Sequence, residues 1–504
     1  MNHFSIQKAK LILLATFLML ISQLHLKAQS KSSKRFVVID LIVQDSSMLN
    51  NFYIQFEMHK NNVNTNLTLD KDFYKFKINK KNTRIKVPLS TNVNYGRIKC
   101  FYDGQIRLQP FDETGSSIYI FEKGDDIQLI ITKRTIRFEG RKTEKYNCMQ
   151  SINSDSNYDR TDYHKFAAQK KYKEMFEFLK SREDSVFKVK KNLIYQYKSK
   201  LNPEIYNLML ADCLAYYYSE LLVILKMASN SDEEKKKIII QTYDKWLKDI
   251  KTDGLNENVI VKSFRYCDFL FDKAVFETSF INRKDNGIQK VPYTFKALYD
   301  SIQNNHNGII RDKVTLLTFY INLVFKDGGA YLEPAYKAMG TNIFKTSMSQ
   351  LLKNYSATIY KFKLYDQYGK LRSLSEFKGK LLVLDFWFTG CLGCSVLAKE
   401  LKPIIQSYIG NKDIEFISIS IDTHKEVWLK SVNEETYSDK DQINLFTSGL
   451  GEQHLIIRDF SVQSYPALFL ISKNGHIITA TMPRPVKGKP ETVLAFKKLI
   501  NKNL

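Results

Sequence analysis

Cysteine is scarce in this chain, and what is missing around it settles several questions at once. Only six of the 504 residues are cysteine. The single Cys-x-x-Cys, Cys391 to Cys394, has no second Cys or His pair at ligand spacing anywhere else. Tetrahedral zinc needs four such ligands, so the pair does not read as half of a zinc site and no metal is expected. Cys100, Cys148, Cys213 and Cys267 lack motif spacing and are expected as buried thiols. A long basic block is also missing. The formal net charge is +23, yet the 76 Lys and Arg are spread along the whole length, with no run longer than Lys235-Lys-Lys237. That pattern describes a solvated basic surface, and no nucleic-acid partner is expected. The apolar run Leu11 to Ile21 falls short of the ~20 residues a membrane-spanning helix needs, and no cysteine stands beside it to carry a lipid.

What is present fits a folded, multidomain protein. Apolar residues at 44% and charged residues at 26% are globular values, which argues against disorder. The length leaves room for two to four domains, each with its own core. The first 29 residues have the form of a cleaved export signal: Lys8 and Lys10, the apolar run, then Leu26-Lys-Ala-Gln-Ser30 as a small-residue cleavage site. Export would place the chain in the periplasm or cell envelope, where a dithiol must donate or receive disulfides.

Chemistry is legible at Leu381-Leu-Val-Leu-Asp-Phe-Trp-Phe-Thr-Gly-Cys-Leu-Gly-Cys394. A nearly continuous apolar run reads as a strand buried on both faces; it breaks at Thr389-Gly390 and resumes at helical spacing. Cys391 therefore falls at a helix N-terminus, where unpaired N–H groups and the helix dipole favour a thiolate, which makes it the nucleophile. Cys394, one turn on, is the resolving thiol. Exchange runs through a mixed disulfide on Cys391 that Cys394 then attacks.

This segment resembles the active-site segment of thioredoxin-fold proteins, and more closely the exported TlpA- and ResA-like thiol–disulfide oxidoreductases. The resemblance covers residues 356–504 and recurs at Tyr465-Pro466, followed by the apolar run Ala467-Leu-Phe-Leu-Ile471 and a hairpin turn at Ser472-Lys-Asn-Gly475. It implies a C-terminal α/β thioredoxin-like domain with Cys391–Cys394 as a redox-active disulfide and no other cofactor. It further implies that Asp385 is the buried acid beneath the dithiol, taking a proton from Cys394. Pro466 would be the cis-proline, with Tyr465, Trp387 and Gly390 lining the substrate surface beside it. Two positions depart from the family pattern: Gly390 stands where Trp is frequent, and Gly393 where Pro is frequent.

Ahead of this domain the hydrophobic period changes twice. From 34 to 145, short alternating runs separated by polar turns predict an antiparallel β-sandwich-like domain with no catalytic constellation; its one histidine, His59, has no evident partner. The run Phe121-Glu-Lys-Gly-Asp125 through Tyr146 resembles the end of the β domain that precedes thioredoxin-like domains in Bacteroidetes-type exported proteins. From 146 to 355 the period is helical, predicting an all-α domain in which Tyr216-Tyr-Tyr218 packs with its hydroxyls at the rim. Within the last domain, Tyr360 to Leu364 is expected as an edge strand and Tyr437 to His454 as an insertion overhanging the site.

The reading that follows is an exported thiol–disulfide oxidoreductase acting on cysteine-containing exported proteins in the reducing direction, itself re-reduced by an upstream membrane thiol reductant. Two other classes stay open. A thiol peroxidase shares this fold, but it needs Pro and Thr ahead of a single reactive Cys, whereas Thr389 is only two residues before Cys391 and the loop has no Pro. A cell-envelope binding protein with an accessory redox domain is the other, since most of the chain lies outside residues 356–504.

Overall fold

Burial alternates residue by residue along β1 (Phe36–Val43), so Val37, Ile39, Leu41 and Val43 form one fully buried face. The strands that follow are β2 (Phe52–His59), β3 (Lys71–Ile78), β4 (Asn82–Pro88), β5 (Val93–Tyr102), β6 (Gln105–Leu108), β7 (Tyr119–Glu122), β8 (Asp126–Ile131) and β9 (Ile136–Glu139), and burial alternates again along β4 and β9. The computed structural model describes residues 35–61, 70–102, 105–108, 118–132, 135–140, 142–153, 165–166, 168–228, 233–281, 294–322, 328–356, 359–460, 462, 464–480 and 482–504. The expected export signal, 1–29, lies outside them. The chain forms two compact units, one holding the described residues up to 58 with 73–153, the other 59–72 with 154–504.

In the first unit the strands make two sheets, ordered β4-β1-β8-β9 and β3-β2-β5-β6, with β7 also on β5. Their apolar faces close on one core that includes Ile39, Leu41, Phe56, Phe121 and Leu129. One pair corrects the antiparallel expectation: β1 and β8 run parallel, from Val38 opposite Asp126 to Val43 opposite Ile131. Alternation fixes which face a side chain takes and says nothing about the direction of the neighbouring strand. A second correction concerns the boundary at 145. Helix α1 (Glu144–Asn153) belongs to this unit, because Tyr146 is buried in its core, stacks on Phe138 at 4.5 Å and donates to Asp125 at 2.7 Å. The helical period begins at 144, but its first turn completes the β core.

The second unit opens with helices α2 (Tyr172–Gln196), α3 (Pro203–Ala228), α4 (Glu233–Trp246), α5 (Glu257–Lys262), α6 (Tyr266–Phe276), α7 (Phe295–Asn305), α8 (Gly308–Asn322), α9 (Gly329–Ala338) and α10 (Asn342–Ser356). Side chains cap the starts of two of them: Asn256, ahead of α5, accepts the Val259 N–H at 3.0 Å, and Thr294, ahead of α7, accepts the Ala297 N–H at 3.1 Å. Helix α3 is long and apolar enough to cross a membrane, but Leu208, Ala211, Leu214, Leu221 and Leu225 are buried in this unit. The tyrosine cluster packs as expected. Tyr217 stacks on Phe187 and donates to Asp184, while Tyr218 stacks on Phe269 and donates to the Lys251 carbonyl. His59 does have a neighbour: its Nδ1 lies 3.6 Å from the Asp70 carboxylate and its ring meets Phe264 edge-on, a contact set by residues far from it in sequence.

The rest of this unit is a seven-stranded sheet ordered β11-β10-β14-β13-β12-β15-β16. Its strands are β10 (Lys363–Asp366), β11 (Leu371–Ser373), β12 (Leu381–Trp387), β13 (Ile414–Ser420), β14 (Ile443–Phe446), β15 (Ala467–Ile471) and β16 (Ile477–Thr479). Helices α11 (Leu392–Gln406), α12 (Lys425–Asn433), α13 (Leu455–Asp459) and α14 (Pro490–Asn501) connect and cover them. Strands β12, β13 and β14 are parallel and β15 is antiparallel to β12, which lies inside the sheet between β13 and β15. The expected edge strand begins three residues late. Ile359 and Phe362 are buried at a spacing of three, which suits the 3₁₀ turn Ile359–Lys361, and the spacing of two starts only at Phe362 and Leu364. The segment expected as an overhang, 437–454, supplies the four-residue strand β14 and the 3₁₀ turn Gly451–Gln453, and its first residue, Tyr437, reaches Gly390.

Candidate active site

The two faces of β12 assign its side chains. Leu382, Leu384 and Phe386 pack on one side of the sheet, while Leu381 and Val383 meet Leu397, Leu401 and Ile404 of α11 on the other. Two residues on from Val383, Asp385 falls on the α11 side, and Trp387 then joins Cys391, Cys394, Trp428 and Phe446 in a small apolar cluster at the strand's end. Asp385 is buried, and its Oδ1 has no hydrogen-bond partner among the described residues. Burial pushes its pKa up to about 7, against the opposing pull of the Arg484 charge.

The chain then turns sharply. Asp422, one residue beyond Ile421 after β13, accepts the Thr389 N–H and the Thr389 hydroxyl, both at 2.9 Å, and the Ser420 hydroxyl at 2.8 Å. Thr389 also shares a hydrogen bond with the Ser431 hydroxyl at 2.8 Å. Gly390 adopts φ +96°, a conformation that L side chains rarely take, and donates its N–H to the Tyr437 hydroxyl at 2.8 Å. Cys391 caps α11, its sulfur accepting the Cys394 N–H at 3.1 Å, and the two sulfurs are joined as a disulfide. In the disulfide both cysteines are buried, Cys391 with 7% exposure and Cys394 with 1%. The other four cysteines are buried thiols.

The Tyr465–Pro466 bond is cis, and Pro466 lies directly beside the dithiol turn. A Cβ on Gly393 would stand 3.3 Å from Pro466 Cδ, a tight contact that glycine avoids. Arg484 donates to the Pro466 carbonyl at 2.6 Å, and the Tyr465 ring meets Phe388 edge-on at 5.6 Å. Burial raises the pKa of the Tyr465 phenol. Trp387 does not line the surface as expected. Its side chain is fully buried, its indole N–H donates to Ser418 Oγ at 2.6 Å, and its ring lies under Tyr437. As a strand residue facing a covered sheet, it forms the floor of the site; Phe388 and Leu392 are the exposed apolar residues beside the cysteines.

The structure thus brings together Cys391, Cys394, Gly390, Tyr465 and Pro466, sets Asp385 two residues before Trp387 on the α11 side of β12, and adds Asp422, Tyr437 and Arg484, which sequence reasoning missed. Asp422 had a usable signal, as a polar residue at the carboxyl end of a parallel strand next to the one that carries the cysteines. Tyr437 and Arg484 had none.

Known proteins resemble part of this chain. Residues 356–480 match the AhpC/TSA family. The thiol–disulfide oxidoreductase ResA of Geobacillus thermodenitrificans (strain NG80-2) is 29% identical over 129 residues, 24% of this chain and 68% of that protein. The ResA of Geobacillus kaustophilus (strain HTA426) is 28% identical over 129 residues, again 24% of this chain and 68% of its own. Among solved structures, a candidate thiol–disulfide oxidoreductase from Bacteroides vulgatus is 30% identical, covering 28% of this chain and 87% of its own, with a TM-score of 0.24. Residues 356–480 are a thioredoxin-like domain of the AhpC/TSA family, and the chain that carries them is a thiol–disulfide oxidoreductase.

Proposed function

We propose that the chain is an exported reductant that exchanges disulfides with cysteine-containing exported proteins through Cys391 and Cys394. The observation that carries this reading is the disulfide at the start of α11, with its more accessible sulfur capping the helix and its other sulfur covered. In the reduced protein the Cys391 thiolate attacks a substrate disulfide; one S–S bond forms, the substrate S–S bond breaks, and one substrate thiolate leaves. Cys394, giving its proton to Asp385, attacks the Cys391 sulfur, closes the Cys391–Cys394 bond and releases the second substrate thiolate. The pair thereby loses two electrons and the substrate gains them. Renewed cycles need an upstream thiol reductant at the membrane.

Asp385 suits its part because burial raises its pKa to about 7, so it can hold or release a proton near neutral pH. Exposed Phe388 and Leu392 beside the cysteines, with Tyr465 and Pro466 across from them, offer an extended substrate chain an apolar surface. The thiol peroxidase alternative would lean on Thr389, but both its N–H and its hydroxyl are engaged by Asp422.

The experiment is to express Cys394→Ser in the native host, separate adducts without reductant and identify what reduction releases. Exported cysteine proteins joined to Cys391 are the expected result. No protein adducts, together with rapid consumption of hydroperoxide by the unaltered protein, would replace this reading with the peroxidase one.

A further inference from the structure

Gly390 is the residue of the site whose identity the exchange chemistry leaves unexplained. A Cβ on it would meet nothing within 4 Å, so crowding does not select glycine there; its φ of +96° does. That conformation delivers its N–H to the Tyr437 hydroxyl at 2.8 Å. Tyr437 lies in the connection between α12 and β14, where its ring stacks on Trp387 with centroids 5.1 Å apart and planes 12° apart. Trp387 is in turn anchored through its indole N–H on Ser418. The hydroxyl that meets Gly390 is thus held by a chain of contacts running down to the sheet.

Amide N–H groups around a helix-start cysteine are what stabilise its thiolate. In this turn the two amides ahead of Cys391 are directed elsewhere, Thr389 to the Asp422 carboxylate and Gly390 to Tyr437, while the Cys391 sulfur receives the Cys394 N–H. We propose that Tyr437 is a positioning residue for the nucleophile: by holding the Gly390 amide it fixes the turn that aims Cys391 and keeps that amide from stabilising the thiolate, which biases the pair toward giving electrons away. This rests on the exchange reading above. The sign follows from thiol chemistry, since a less stabilised thiolate means a less stabilised reduced form and a more reducing couple.

The test compares full-length protein with Tyr437→Phe, which retains the ring stack and loses the acceptor, and with Tyr437→Leu, which loses both. Two readouts separate positioning from packing: the pH midpoint of Cys391 alkylation in reduced protein, and the equilibrium with reduced and oxidised glutathione. Tyr437→Phe is expected to lower the alkylation midpoint by about half a pH unit or more and to move the glutathione equilibrium about threefold toward the dithiol, roughly 15 mV. Tyr437→Leu should move both readouts at least as far. Unchanged midpoint and equilibrium in folded Tyr437→Phe overturn the proposal, whatever Tyr437→Leu does. A wild-type pair that does not equilibrate with glutathione at all would instead overturn the exchange reading, and the alkylation profile would still decide the role of Tyr437.

Discussion

Replacing Asp385 by Asn in the oxidised protein should change how stability depends on pH, and the direction can be worked out in advance. Burial holds the Asp385 pKa at about 7 in the folded chain, against ~3.9 for an unfolded aspartate. Below that lower value both states hold the proton. Between the two values the folded state still holds it while the unfolded state has released it, so stability falls as pH rises through this window and levels off above it. A gap of about three pH units corresponds to ~4 kcal/mol at most, and relaxation around the carboxylate brings the expected figure to about 2–4 kcal/mol. The assay is urea unfolding of full-length wild type and Asp385→Asn at a series of pH values, followed by tryptophan fluorescence. Trp387 and Trp428 report from beside the disulfide. The stability of the Asn variant relative to wild type should grow steadily from about pH 4 to pH 7 and stay constant beyond. A difference that is flat from pH 5 to pH 9, or a carboxyl signal titrating below pH 5 by infrared difference spectroscopy, would refute the burial argument.

Three further outcomes are expected. In reduced protein Cys391 should be alkylated well before Cys394, as peptide mapping after a brief pulse would show, because Cys394 is buried in the first turn of α11 in the cluster with Trp387 and Trp428. Gly390→Ala should cost about 1 kcal/mol or more in the same unfolding assay, since alanine is strained at φ +96°; no loss would mean that the turn relaxes. Asp422→Ala should cost about 1–3 kcal/mol by leaving the Thr389 amide and the hydroxyls around it without their acceptor, and should slow disulfide exchange measured with a model substrate.

How much of this was legible beforehand depended on the range of the signal. The strand, the turn and the helix start around Cys391 are written in consecutive residues, so period and cap position place the sulfur correctly. Asp385 is legible for the same reason, as a lone acid in an apolar run. The parallel pairing of β1 with β8 is not, because both strands would look the same with the neighbour reversed. Helix α1 crosses the predicted boundary because Tyr146 is recruited by Phe138 and Asp125, a contact no local pattern records.

The departures at Gly390 and Gly393 show the same limit from the other side. Read alone, each glycine suggests a looser turn, since glycine has the most conformational freedom to lose on ordering. In the fold each has a neighbour from another segment: a Cβ on Gly393 would stand 3.3 Å from Pro466 Cδ, and Gly390 donates its amide to Tyr437, 47 residues away. A missing side chain is therefore ambiguous in sequence, because the partner that makes use of the space or the conformation lies in another segment. Tyr437 looks like one tyrosine among 29 until its hydroxyl is found on the amide next to the nucleophile. The chemistry class of such a site can be read from the motif, but its redox bias has to be read from the residues that take hydrogen bonds away from the sulfur.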